Sequence, residues 1–390
     1  MRLALVAFIL ALAGCSGPPA PVAFRALWVQ EPMRYATSFQ IWHHGDDRLL
    51  IVFGHGGMTD TVSVIHCSDD TAFAQLPFKA IQVNRRLDRL ALLSTTHVPF
   101  LTAIGEVGSI VGTVLPQDVM DSTFRKAWAD GRVQGLGGSG TLDRERLISL
   151  RPDAVLAYPY GAQGNATLRD AGLRVVQVSE YLEEHPLGRA EWIRFFGGLT
   201  GHQREADSLF AGIMQRYEAQ AALAAQDSVH PVVFFGSQWN GQWSVPPGNS
   251  YMARLIADAG GRYVFADRTA SGNIDLDMET LVATVSKVDN WGMIAQVEGH
   301  AFPRHVTNND PRLMQLDVVK DDHLFCGNTR TADLFGQALL EPDQVLRDLR
   351  YCIGDAWRWK PWEEDHRYFL PLRPEPVSIP YEPEGVPLDQ

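Results

Sequence analysis

Cysteine is scarce in this 390-residue sequence, with four in all. Cys15 ends an apolar leader; Cys326 and Cys352 either pair or, with Cys67, remain buried thiols, and the sequence leaves both options open. Positive charge is also short, 34 Lys and Arg against 46 Asp and Glu, for a formal net charge of −12. So acidic a body repels phosphate backbones, which argues against nucleic acid as a partner. Long apolar runs are missing after the leader, so the membrane is expected to be reached only through an anchor. Catalytic signatures are lacking too. "GLGGSG" has no Gly-Lys-Ser/Thr of a phosphate loop, and neither a Gly-x-Ser-x-Gly elbow nor a His-Glu-x-x-His helix occurs. Acids are plentiful, so a surface hydrolase built on carboxylates remains the enzymatic alternative. His43, His44, His55, His66 and Cys67 gather without a recurring ligand interval, so no metal site is expected there.

What is present begins with "MRLALVAFILALAGCSG". One basic residue, an apolar run from Leu3 to Ala13 too short to span a bilayer, and Leu12-Ala13-Gly14-Cys15 read as a secretory signal. The ending resembles a bacterial lipobox. It predicts removal of residues 1–14, lipidation of Cys15 and a tether over 15–22, with the body held in the periplasm or cell envelope. Ser16 follows Cys15, and which membrane holds the anchor stays open.

The body is 45% hydrophobic and long enough for two domains. Residues 23–86 carry short β-prone runs broken by Gly and Asp, "SFQIWHHGDDRLLIVFG" and "DTVSVIHCSD", and read as a small β appendage. From 87 to 200, strand, helix and strand alternate, which predicts a parallel sheet covered by helices. Residues 201–228, "GHQREADSLFAGIMQRYEAQAALAAQD" and one more, keep Ala206, Leu209, Phe210, Ile213 and Tyr217 at helical spacing without a proline. That length suits either a connection between domains or an ordinary surface helix. Alternation restarts over 229–354, and 355–390 form a Trp- and Pro-rich tail.

The two α/β halves share an echo. Asp143-x-Glu145-x-Leu147-Ile148 is matched by Asp277-x-Glu279-x-Leu281-Val282, each opening a helix that leads into an apolar strand. Leu147, Ile148 and Leu150 define a buried side, leaving Glu145 free to stand exposed. Acids at that position also suit the helix dipole.

"RLALLSTTHVPFLTAIGEVGSIVGTV", "LDRERLISLRPDAVLAY", "GNSYMARLIADAGG" and "SGNIDLDMETLV" together resemble the periplasmic binding proteins that serve ATP-driven importers of ferric siderophores, vitamin B12 and haem, particularly lipoproteins of Bacteroidetes-like bacteria. The resemblance runs from Leu87 to Ile353. It implies two Rossmann-like lobes joined by one long helix, a metal chelate bound between them, and no covalent chemistry. It also implies no cofactor beyond the iron or cobalt of the ligand, a monomer, and an ABC permease with its ATPase as partners. Glu145 and Glu279 match the glutamates with which that family docks to permease arginines.

Ligand contacts are expected on loops that follow the strands. Tyr158 and Tyr160 in "LAYPYG", and Trp239 and Trp243 in "GSQWNGQWSVPPGNS", offer large faces to a bulky chelate or, equally, packing between loop and core. Ser271, Gly272, Asn273, Asn328, Thr329 and Arg330 are polar loop residues of the same expected rim, although Arg330 could bind its own domain. His97 either reaches the cleft or is a satisfied histidine at a helix start. A non-transport interaction lipoprotein on the same fold is the other alternative, since a fold does not fix a function.

Overall fold

A computed structural model describes residues 27–69, 76, 78–138, 140–159, 162–239, 241–354 and 366–372. The leader with Cys15, Tyr160 and most of the Trp- and Pro-rich tail lie outside the described residues.

The first sheet contains β1 (Val29–Gln30), β2 (Phe39–His44), β3 (Asp47–Gly54), β4 (Gly57–Cys67) and β5 (Ile81–Val83), in that spatial order. Its pairs are antiparallel except β4 with β5. Alternation along β2 and β3 sends Phe39, Ile41, Leu50 and Val52 inward, all essentially inaccessible, and these join the main core. Trp28 and Leu49 centre a smaller apolar cluster.

The first lobe follows with β6 (Leu90–Leu92), α1 (Val98–Ala103), β7 (Ile110–Thr113), α2 (Ser122–Ala129), β8 (Gln134–Gly135), α3 (Arg144–Ser149), β9 (Ala154–Ala157), α4 (Ala162–Asp170) and β10 (Val175–Gln177). Its parallel sheet runs β10-β9-β6-β7-β8. β6, β7, β9 and β10 are buried at every residue, as strands covered on both faces must be. Within α3, Leu147 is buried, but Ile148 is 45% exposed and so does not belong to the buried side assigned to it from spacing. Six residues are under two turns, and only one of the two neighbouring apolar positions can face the sheet.

Two helices then run in succession. α5 (Pro186–Thr200) is buried on nearly every side, and Gly201, with a φ of 77° that favours glycine, turns the chain into α6 (Gln203–Ala224). α6 has 22 residues, about 33 Å of helix. It packs along α5 and delivers the chain to the second lobe.

That lobe comprises β11 (Val232–Phe235), β12 (Ser237–Trp239), β13 (Gln242–Val245), α7 (Tyr251–Asp258), β14 (Arg262–Tyr263), β15 (Ile274–Leu276), α8 (Met278–Val285), β16 (Asn290–Ala295), α9 (Pro303–Thr307), α10 (Asp317–Lys320), β17 (Leu324–Asn328), α11 (Pro342–Ile353) and β18 (Leu370–Pro371). The main sheet is β14-β11-β16-β17-β18, parallel apart from β18, and β12-β13-β15 form a small antiparallel sheet. Cys67, Cys326 and Cys352 are all buried free thiols, so the possible Cys326–Cys352 pairing does not occur. Burial pushes the Cys67 and Cys326 thiols up to about 12.

Attachment of the first sheet rests on two glutamates. Glu191 of α5, fully buried, accepts from the amides of Arg34, Tyr35 and Ala36 at 2.8 to 3.1 Å. Glu183, 1% exposed, accepts from the amides of Thr37 and Ser38 at 2.8 to 3.0 Å, from Thr37 Oγ1 at 3.0 Å and from Trp192 Nε1 at 3.1 Å. Arg194 balances Glu191 at 3.1 Å and also reaches Glu31 and Asp207. Burial raises the Glu183 carboxyl, and the amides and the indole it accepts from oppose that rise. Phe39 packs on Trp192 with centroids 4.7 Å apart, and Ser63 Oγ takes the Gln177 amide of β10 at 2.9 Å. Glu191→Ala, which leaves three amides without their acceptor and takes one of the three carboxylates from Arg194, is expected to cost about 3–5 kcal/mol in urea unfolding, with limited proteolysis cutting first within residues 29–83.

Candidate binding cleft

Between β10 and α5 the chain makes one tight turn, Glu180–Leu182, before Pro186 starts the helix. His185 caps α5 by accepting from the Leu187 amide at 3.0 Å. Burial, helped by the Arg254 guanidinium, holds its pKa down to about 4, and this keeps the ring neutral and able to accept. From the first turn of α5, Arg189 donates through Nε to the Glu183 carbonyl at 3.1 Å and through Nη2 to the Tyr181 carbonyl at 3.0 Å. These bonds fix the guanidinium with its face toward the other lobe.

There it lies 4.2 Å from the ring centre of Tyr251, the first residue of α7. A cation over an aromatic face is worth about 0.5–2 kcal/mol, and here it bridges the lobes. Asn249 makes a second bridge, donating to Glu184 Oε1 at 2.9 Å while its own carbonyl takes the Ala270 amide at 3.0 Å. That second bond steadies the loop carrying Ser271 and Asn273.

Around these bridges opens a cleft of about 1440 Å³. One wall is the Tyr181–Arg189 turn of the first lobe, another the Pro247–Tyr251 and Thr269–Asn273 loops of the second, and a third is the N-terminal sheet. Under the first wall lies a polar network at the carboxyl ends of β6, β9 and β10. Glu180 Oε1 accepts from Thr96 Oγ1 at 2.7 Å and Tyr158 OH at 2.9 Å, and His97 Nε2 is 3.6 Å from Glu180 Oε2. Burial alone would raise the Glu180 carboxyl; the His97 imidazole and the two hydroxyls outweigh it and hold the group below the usual carboxylate range. A narrower seam of about 80 Å³, lined by Thr95, Pro99, Asp121, Thr329 and Phe335 among others, separates the lobes elsewhere.

Of the residues expected at the ligand, the structure brings Ser271 and Asn273 into the cleft, both exposed. Tyr158 and His97 sit one layer beneath it: the Tyr158 ring stands edge-on to Tyr181 at 5.0 Å, and His97 is fully buried. Trp243 is 3% exposed against Trp291, centroids 5.5 Å apart, so it packs the core and does not face the cleft. Trp239 ends β12, paired with Gln242. Asn328 is spent on its own loop, donating to the carbonyls of Val297 and Gly299 and accepting from the Val297 and Arg330 amides. Arg330 pairs with Glu298 at 3.1 Å within its own lobe. Tyr181, Arg189, Asn249 and Tyr251 were not anticipated. The "HPLGRAEWIRFF" stretch, a proline-started helix directly after a strand, was the available signal for Arg189.

A sequence model described as periplasmic binding protein matches residues 90–329. An uncharacterized lipoprotein of Methanocaldococcus jannaschii is 27% identical over 287 residues, covering 70% of this chain; the match spans 66% of that relative, just under two thirds. A periplasmic heme binding protein of Pseudomonas aeruginosa superposes with a TM-score of 0.54 at 20% identity, covering 68% of this chain and 92% of its own. The triscatecholate siderophore binding protein of Bacillus subtilis, complexed with ferri-bacillibactin, gives 0.55 at 15% identity, with 70% and 94% covered. At such identities the two structures speak for the fold.

Glu180→Gln should test the network under the cleft. A carboxyl held below its ordinary pKa contributes stability that is present above that range and lost as pH falls through the depressed value. The variant is therefore expected to be about 3 kcal/mol less stable than the parent at pH 7, with the gap closing as pH falls through and below the ordinary carboxylate range, in urea unfolding followed across that range.

Proposed function

Because the chain belongs to the periplasmic binding protein family, we propose that it is the substrate-binding lipoprotein of an ATP-driven importer, taking a metal chelate into the cleft between its lobes and handing it to the permease. The cleft carries this reading. At about 1440 Å³ it exceeds the 300–1,000 Å³ or so of ordinary small-molecule pockets, so it suits a bulky occupant such as a ferric siderophore, a cobalamin or haem. Its lining has the matching chemistry: the Tyr181 and Tyr251 rings for unsaturated or apolar faces, the exposed Asn273 amide for carbonyls and hydroxyls, and the Arg189 guanidinium for a carboxylate or catecholate edge. Metal enters as part of the cargo. The chain's task is binding and release, without covalent chemistry.

Docking is assigned to Glu145 and Glu279. Each is exposed in the first turn of its helix, α3 and α8, just after an aspartate whose carboxylate caps that helix: Asp143 takes the Arg146 amide at 2.9 Å and Asp277 the Thr280 amide at 2.7 Å. The echo seen in the sequence is thus one local device that recurs in both lobes, presenting an exposed carboxylate that makes no ion pair or side-chain hydrogen bond among the described residues. The rest of the reading is a lipid anchor at Cys15 in the periplasm or cell envelope, a tether over 15–22, lobes of 87–200 and 229–354 joined by 201–228, and a monomeric body.

Titration with hemin, cyanocobalamin and a ferric tris-catecholate is expected to quench tryptophan fluorescence with at least one of them; flat titrations accompanied by hydrolase activity would support the surface-hydrolase alternative instead. The double variant Glu145→Arg/Glu279→Arg should keep the parent's chelate affinity and lose stimulation of transport in reconstituted vesicles. Unchanged transport would remove the acidic pair from docking.

A further inference from the structure

We propose that the N-terminal sheet is a ligand-contacting wall of the cleft, with His55 and Met58 at the β3–β4 tip meeting the bound chelate. This rests on the binding-protein reading and adds a contact outside the segment matched to the family, which begins at residue 90. Two lobes alone would give the chelate two sides; here Gln30–Gln40 and the tip residues Gly54, His55, Gly57 and Met58 close a third.

The wall is rigid where a wall must be. Residues 34 to 38 are held by the buried carboxylates of Glu191 and Glu183, and the inner face of the sheet is continuous with the core of α5. Shifts of register at Val52/Phe53 and Phe53/Gly54 bend β3 just before its end, as a bulge does. The turn is then tied by its own residues: Gly57 takes a φ of 60°, Thr59 Oγ1 donates to the Gly56 carbonyl at 2.8 Å, and the Gly56 amide donates to Asp60 at 3.3 Å. A preformed tip loses little freedom on meeting a ligand.

The side chains it presents have no part in the sheet's own core. Met58 is 72% exposed, with its sulfur accepting from Gln40 Nε2 at 3.6 Å, and that amide oxygen accepts from Trp42 Nε1 at 3.1 Å. His55 is exposed, and its ring stands edge-on to Tyr181 at 6.1 Å. Its imidazole therefore meets the first lobe's cleft turn from the sheet side, while Ser271 and Asn273 occupy the second lobe's rim. An imidazole and a thioether at the tip extend onto the third side the polarizable contacts that His185 and Met33 offer elsewhere in the lining. The occupant that fits is a metal chelate broad enough to span both lobes and carrying an apolar or unsaturated edge toward the tip.

The test uses the full chain and its His55→Ala/Met58→Ala variant, titrated with hemin, cyanocobalamin and a ferric tris-catecholate. Both side chains are exposed, so thermal unfolding of the variant should match the parent. For the probe the parent binds best, the variant is expected to bind about tenfold more weakly. Affinity within about twofold of the parent for every probe bound would remove the third wall and leave the importer reading standing. A parent chain that binds none of the three removes both.

Discussion

Two buried carboxylates, Glu183 and Glu191, decide the shape of this molecule. They stand eight residues apart around the start of α5 and between them accept from five consecutive backbone amides, 34 to 38. A carboxylate taken out of water is costly unless its lone pairs are filled, and an extended run of amides fills them well. The consequence is that the first sheet is welded to the helix that also carries Arg189, so the sheet and the lobe present one continuous face to the cleft. Asp348 repeats the device at the other end of the chain: fully buried in α11, it accepts from the amides of Arg367 and Tyr368 at 3.0 and 2.7 Å and holds β18 against the second sheet. Both peripheral additions are thus fastened through main chain, whatever side chains the fastened segments carry.

Legibility in the sequence followed the range of the interactions. Strand and helix alternation, the helix from 203 to 224 and the aspartate caps of α3 and α8 depend on neighbours within a few residues, and each is readable from spacing and capping chemistry. Partnerships formed 145 to 157 residues apart, such as Ser38 with Glu183 or Arg34 with Glu191, leave no local trace, and for that reason the region before residue 87 reads as an appendage when its inner face is part of the main core.

The cleft divides along the same line. Ligand contacts were expected on loops after strands, and of those residues Ser271 and Asn273 line the cleft. Spacing could not tell which polar loop residues were already occupied: Asn328 staples its own turn, Arg330 pairs with Glu298, and His97 lies against Glu180. Trp243 takes the packing option of the two left open for it, because alternation along β13 gives it the buried side, with Val245. Arg189 and Tyr251 face one another only because α5 and α7 come from different lobes, a juxtaposition that no spacing encodes.

α6 carries a mechanical consequence. The chain passes between the lobes in a helix that is clasped on several sides: Arg216 to Asp343 of α11 at 2.8 Å, Tyr217 to Asp258 of α7 at 2.7 Å, Glu218 to Tyr35 at 2.5 Å, and just beyond its end Asp227 to Arg350 at 2.7 Å. A strut braced in this way resists bending, and a wide scissor-like parting of the lobes would have to break several of these clasps together. The mouth of the cleft, built from the 181–189, 247–251 and 269–273 segments, contributes no residue to these clasps and can move without breaking them.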